Sequence, residues 1–282
     1  MLLNEKLWMA LGAIAYLVAF GLALGALWNG RRYAKGTMAG LLGGGWVLQF
    51  IGLHLRGLER HACPLGNPFE VIQFVAWSAV LIYLLVFSVY RLNLLGLFVA
   101  GLVGGLTAVS LLVPGWDSGY AGPLFGGNPW IELHASLAIF SYGIFGVLAG
   151  TSLMFLLQQY GLEKRQSKPL FHFLPSITEL DSINRRLLLG GLLVLSTALL
   201  VGSIHWVPSP ESITISKLGA TIGLWLAYLL NYLLRLRGSL TPKRFAIYNL
   251  ALFIVALLVL WPVERSRPAE PEPPTLSANP AS

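Results

Sequence analysis

Runs of about 18 or more apolar residues recur along the whole of this 282-residue chain. At about 1.5 Å of rise per residue, each is long enough to carry a helix across the roughly 30 Å hydrocarbon layer of a membrane. Inside that layer every backbone amide must find its partner within the protein, which leaves helices or closed barrels. The runs are too long and too unbroken to be barrel strands, which alternate apolar and polar residues. Only 11% of the residues are charged and 56% are hydrophobic, against about 25% charged in an ordinary soluble domain. Mean hydropathy is +0.70. The chain reads as an all-α polytopic membrane helix bundle of about eight transmembrane helices.

The spans are expected at about Leu7–Trp28, Met38–Leu55, Pro68–Tyr90, the stretch ending at Val113, Pro129–Tyr160, Leu187–Val207, Leu218–Leu234 and Phe245–Trp261. Two of them open on the same signal, Asn67-Pro68 and Asn128-Pro129. Asparagine caps a helix and proline suits its first position, while Glu70 three residues on can return a bond to the cap. Ser176-Ile-Thr-Glu179 is a capping box and predicts a short surface helix leading into span six. Glycines four apart, Gly21/Gly25, Gly101/Gly105, Gly146/Gly150 and Gly219/Gly223, read as close-packing faces. Residues 1–262 form one membrane domain. Residues 263–282, rich in Pro, Glu and Ser, are expected to be disordered.

Of the 19 Lys and Arg residues, 13 fall in the loops after spans one, three, five and seven. The positive-inside rule places those loops in the cytoplasm and both termini outside, as expected for a bacterial inner membrane protein. The net charge of +7 is therefore a topology signal, and no nucleic-acid partner is implied. The single cysteine, Cys63, excludes an internal disulfide or a Cys-x-x-Cys pair. Beside Pro64, it reads as an idle thiol. No Ser/His/Asp or paired-carboxylate set gathers at one depth, so the chain is not expected to be an enzyme.

On this topology four of five histidines, His54, His61, His134 and His205, lie toward the outer surface, and only His172 faces the cytoplasm. Paired imidazoles are ordinary axial ligands of haem iron. Spans five and six are expected to offer His134 and His205 at similar depth as metal ligands. Trp116, Trp130 and Trp206 lie at the same level and are candidates to cover a porphyrin, with Arg56 and Arg60 candidates to pair its propionates. The bland readings stand beside this one. Tryptophan collects at membrane interfaces as an anchor, and a histidine near a helix end can simply meet headgroup water. Glu70 and Glu132 suit helix starts near a positive dipole end.

Two stretches resemble the cytochrome c assembly proteins of the CcsA/ResC type and their shorter relatives HemX and YpjD. The first is GLHLRGLERHACPLGNPFEVIQFVAW, with Gly52, Leu53, Arg56, Pro64, Asn67, Glu70 and Trp77 in the family's order; the second runs from Trp116 to His134 and Ser141-Tyr142. The resemblance covers most of residues 38–262. It implies movement of haem across the membrane and its presentation outside for attachment to apocytochrome c, alongside other assembly subunits. It also implies four ligand histidines and an external Trp-rich motif. His134 falls on one external ligand position, Gln49 on the first intramembrane position, and the second lies near Leu233. No second external histidine follows span eight, and HWVPSPESITIS, which holds His205, replaces the tryptophan motif. Those departures point to the HemX/YpjD branch.

Three readings result, in order. The first is a haem-handling factor for cytochrome c assembly. The second is a membrane scaffold or regulator that has lost haem ligation. The third is a small-solute transporter, for which the spans hold few of the buried charges that mark such proteins.

Overall fold

A computed structural model of the chain describes residues 2–30, 35–61, 63–90, 94–117, 128–165, 174–206 and 215–265. Among these residues the secondary structure is helical, with eight long helices: α1 (Leu2–Trp28), α2 (Lys35–Arg60), α3 (Pro68–Tyr90), α4 (Leu95–Leu112), α5 (Pro129–Glu163), α6 (Ile177–Trp206), α7 (Ile215–Leu236) and α8 (Pro242–Arg265). A 3-10 turn, Pro114–Asp117, follows α4. Seven of the eight, α1 to α7, are long and apolar enough to cross a membrane. The expected Pro-rich tail lies outside the described residues from 266 on, as does His172.

The helix starts obey the local signals. The Asn67 side chain accepts from the Glu70 amide at 2.9 Å, and that of Asn128 accepts from Trp130 at 3.0 Å. Ser176 accepts from the Glu179 amide at 3.2 Å. That capping box, however, opens α6 itself, which then runs unbroken for 30 residues. No separate surface helix precedes it among the described residues. The first ten residues are simply the amino end of that long helix, held there by Asp181 against Arg235 at 2.9 Å and by Arg186 against the Tyr90 hydroxyl at 2.7 Å.

The α5 helix is the central post, packing most extensively on α6 and also on α3 and α8, while α1 to α4 form a second group. Within that group the buried amides of Gln49 and Gln73 bridge helices through hydrocarbon. Tyr16 donates to Gln49 Oε1 at 2.8 Å, Gln49 donates to Gln73 Oε1 at 2.6 Å, and Gln73 donates to Ser110 at 2.9 Å. Each amide thus satisfies the other where no water is available.

The glycine faces differ from expectation. Around Gly21, Gly25, Gly105, Gly219 and Gly223 nothing lies within 4 Å of where a side chain would begin, and Gly146 and Gly150 have only ordinary contacts. Gly101 does approach closely, an added Cβ standing 2.8 Å from Phe20 Cε2, and close approach falls as well at Gly143, 2.8 Å from the Ala79 backbone nitrogen, and at Gly12, 3.0 Å from the Gly45 carbonyl. Spacing of four puts two glycines on one face, but which neighbour that face meets is set by the other helices. Gly143→Ala is therefore expected to destabilise the bundle by about 1–3 kcal/mol through overpacking, while Gly223→Ala leaves it unchanged. Thermal unfolding of both variants in one detergent checks the pair.

Candidate functional site at the outer end of the bundle

The amino ends of α1 and α3, the carboxyl end of α2 and the 3-10 turn meet around one buried guanidinium. Arg56 is 3% exposed. It donates to Glu5 at 2.7 Å, to Glu70 at 2.5 Å and to Asp117. Arg60 adds a second cation on Glu70 at 2.6 Å, and Lys6 pairs with Asp117. Glu70 also accepts from the Gly66 amide at 2.5 Å. Three carboxylates and three cations thus balance in one cluster, with the Arg56 guanidinium lying 5.1 Å over the Phe69 ring. Burial would lift the Asp117 carboxyl, but Lys6 and Arg56 outweigh it and hold it below the usual carboxylate range.

Beneath the cluster Trp116 is half-buried against Met9, Leu53 and Phe69. The Gly/Trp segment that follows Asp117 lies outside the described residues up to Asn128. Past it, the start of α5 carries two opposite faces. On one, Glu132 accepts from the Cys63 amide at 3.4 Å, and Ser136 meets the Cys63 sulfur at 3.3 Å. Burial pushes the Cys63 thiol up, so it stays protonated and inert. On the other face, two residues and about 200° away, the Nδ1–H of His134 donates to the Ala198 carbonyl of α6 at 2.7 Å. A carbonyl can only accept, so this bond sets the tautomer and makes Nε2 the basic nitrogen.

The expected site residues therefore divide. His134 belongs to the α5–α6 seam. Position 205 lies on the same face of α6 as Ala198 but seven residues farther along, roughly 10 Å nearer the outer end. The side chains of His205 and Trp206 lie outside the described residues. Trp130 is 51% exposed, and Trp116 sits with the ion cluster. Arg56, expected to meet propionates, is surrounded by protein carboxylates instead. His61 is exposed at the left-handed residue ending α2. Among the described residues no three His, Cys, Asp or Glu side chains gather to hold a metal ion.

A family model for cytochrome c assembly proteins matches residues 65–266. The chain belongs to that family. Among relatives, HemX of Brevibacillus brevis is 28% identical over 166 residues, 58% of this chain and 60% of that protein. The cytochrome c biogenesis protein CcsA of Synechococcus sp. strain JA-2-3B'a(2-13) is 28% identical over 157 residues, 52% of this chain and 45% of its own. The chain thus spans about half the length of these two relatives. HemX of Bacillus subtilis strain 168 is 24% identical over 218 residues, 76% of this chain and 78% of that protein.

Set against the family's expected intramembrane histidines, Gln49 is fully buried with its amide bonded on both sides. Leu233 is 41% exposed, on the lipid side of α7. Neither position offers a ligand. The ion cluster was not anticipated: Arg56 and Arg60 read as partners for propionates and Glu70 as a helix-start residue, and Glu5 and Asp117 carried no reading. The signal available was Glu5, an acid two residues before the first apolar span and within reach of its helix, where burial demands a partner.

Arg56→Ala would leave Glu5, Glu70 and Asp117 facing one another and is expected to cost about 3–5 kcal/mol. For Asp117, a depressed value means its contribution is complete above the ordinary carboxylate pKa of about 3.9 and lost as pH falls through the lower folded value. Stability of the wild type is thus expected to fall in acid below about pH 4, and this part of the acid response to vanish in Asp117→Asn. Melting temperature against pH in detergent measures both.

Proposed function

We propose that the protein is a haem-handling factor of cytochrome c assembly in the bacterial inner membrane, with both termini on the outer side and His134 as the iron ligand. The observation that carries this reading is the His134–Ala198 bond. An imidazole that ligates metal nearly always gives its other N–H to a carbonyl or carboxylate, which fixes the ring and raises its basicity. Here a helix backbone does so, in a half-buried position one to two turns inside α5. Haem, when bound, would supply an iron able to take a neutral imidazole nitrogen, which His134 would offer.

The residues fit that group in part. His134 has the required tautomer. Arg56 does not serve the propionates, because three carboxylates already neutralise it. The role proposed for the chain is therefore to hold and orient, with no turnover of its own, and other assembly subunits or apocytochrome c are its proposed partners. The names of the relatives, cytochrome c biogenesis protein and HemX, agree with a place in that process.

The second reading, a scaffold or regulator that has kept the helices without the cofactor, draws on Gln49 and Leu233, which stand where intramembrane ligands are expected. Absorption spectra of the protein purified from haem-replete cells, oxidised and reduced, separate the two. The first reading predicts a Soret band that falls at least tenfold or shifts in His134→Ala. A colourless protein whose spectrum does not change on adding haem overturns it and leaves the scaffold.

A further inference from the structure

At the end of the bundle opposite the Arg56 cluster, the exposed faces of α6, α7 and α8 share one pattern. On α7 an exposed apolar stripe runs through Leu226, Leu230 and Leu233, and steps of three and four residues keep these on one side of the helix. The Arg237 amide donates to the Leu233 carbonyl at 3.0 Å. The helical turn therefore continues, and exposed Arg237 tops the same stripe. On α8 the order is reversed. Arg244 is exposed in the first turn, with Tyr248 and Val255 exposed on its face further along. On α6 exposed Arg186 stands one turn before Leu189 and two before Leu193. Three faces that are apolar along their length thus each end in an arginine.

The nearby acids are already spent. Asp181 takes Arg235 at 2.9 Å and Arg185 at 3.4 Å, and Glu163 takes Lys243 at 3.0 Å. Arg186 donates to the Tyr90 hydroxyl at 2.7 Å. Among the described residues Arg186, Arg237 and Arg244 have no carboxylate partner. At the other end Lys6, Arg56 and Arg60 are each met by one. The two ends thus differ in whether their cations are answered from within the chain.

An unanswered guanidinium selects phosphate, whose oxygens match its planar fork of donors. Positions 237 and 244 stand in line with stripes that face hydrocarbon, at the level where a phospholipid carries its head group. Tyr248, one turn beneath Arg244, suits that level, where aromatic side chains with a polar tip collect. We propose that the lipid-facing edge of α6, α7 and α8 at this end binds anionic phospholipid, the phosphate oxygens accepting from Arg186, Arg237 and Arg244 and the acyl chains lying along the stripes. Each basic side chain near a membrane surface adds about fivefold in affinity for anionic lipid. The inference uses none of the residues assigned to haem and stands if that reading fails.

The test loads the full chain in detergent with equal amounts of phosphatidylglycerol and phosphatidylcholine of the same acyl chains, and counts retained lipids by native mass spectrometry. Expected is a preference for phosphatidylglycerol that falls about fivefold in Arg237→Gln and in Arg244→Gln. Both side chains are exposed and unpaired, so the melting temperature of each variant should match the wild type. Lys243→Gln removes an equal charge from the adjoining position, where Glu163 already holds it, and should leave the preference near that of the wild type. Equal retention of the two lipids overturns the proposal. An equal loss in Lys243→Gln and Arg244→Gln also does so, since net charge alone would then account for it. Heparin bound without any lipid preference, and lost in the same variants, overturns it in favour of a soluble polyanion.

Discussion

A guanidinium taken out of water must be surrounded by charge of the opposite sign, and that requirement organises one end of this bundle. Desolvating Arg56 alone would cost several kcal/mol. The cost is offset only if Glu5 from α1, Glu70 from α3 and Asp117 from the 3-10 turn arrive together. The outer ends of three helices and the start of the Gly/Trp segment are thereby set relative to one another by a single side chain. Arg60 and Lys6 complete the neutrality at the rim. Leu53, Phe69 and Trp116 pack underneath and keep the cluster dry.

Below that cap the interior relies on side-chain amides and close backbone contact. In hydrocarbon there is little hydrophobic gain in bringing two helices together, so packing and shared hydrogen bonds decide. The Tyr16–Gln49–Gln73–Ser110 chain joins α1 to α4. On the other side Asn231 donates to Asn249 at 2.7 Å, linking α7 and α8, and Thr151 donates to Asn184 at 2.6 Å, linking α5 and α6. A residue standing where a relative's histidine is expected has here become a structural amide.

Helix number and helix starts were legible in the sequence because each is a local property. Asn67 and Asn128 act on amides two or three residues away, and apolar length is counted along the chain. What distance along the chain concealed was partnership. Residues 5, 56, 70 and 117 look unrelated until α1, α2, α3 and the turn are assembled, so Arg56 looked available to an external anion. His134 meets a backbone carbonyl, and no side chain marks Ala198 as an acceptor. The glycine spacing misled for a related reason. It gives a face but not the rotation of that face, and Gly143, with no glycine partner four residues before it, makes the close contact.

The α5 helix runs 35 residues, roughly 52 Å from end to end, well beyond a hydrocarbon thickness of about 30 Å. At its carboxyl end Glu163 is clasped by Lys243 of α8 at 3.0 Å. One unbroken rod therefore joins the histidine near one aqueous compartment to an ion pair facing the other. Any tilt imposed at that far end is delivered as a sideways displacement of the imidazole, with no relay of intervening side chains required.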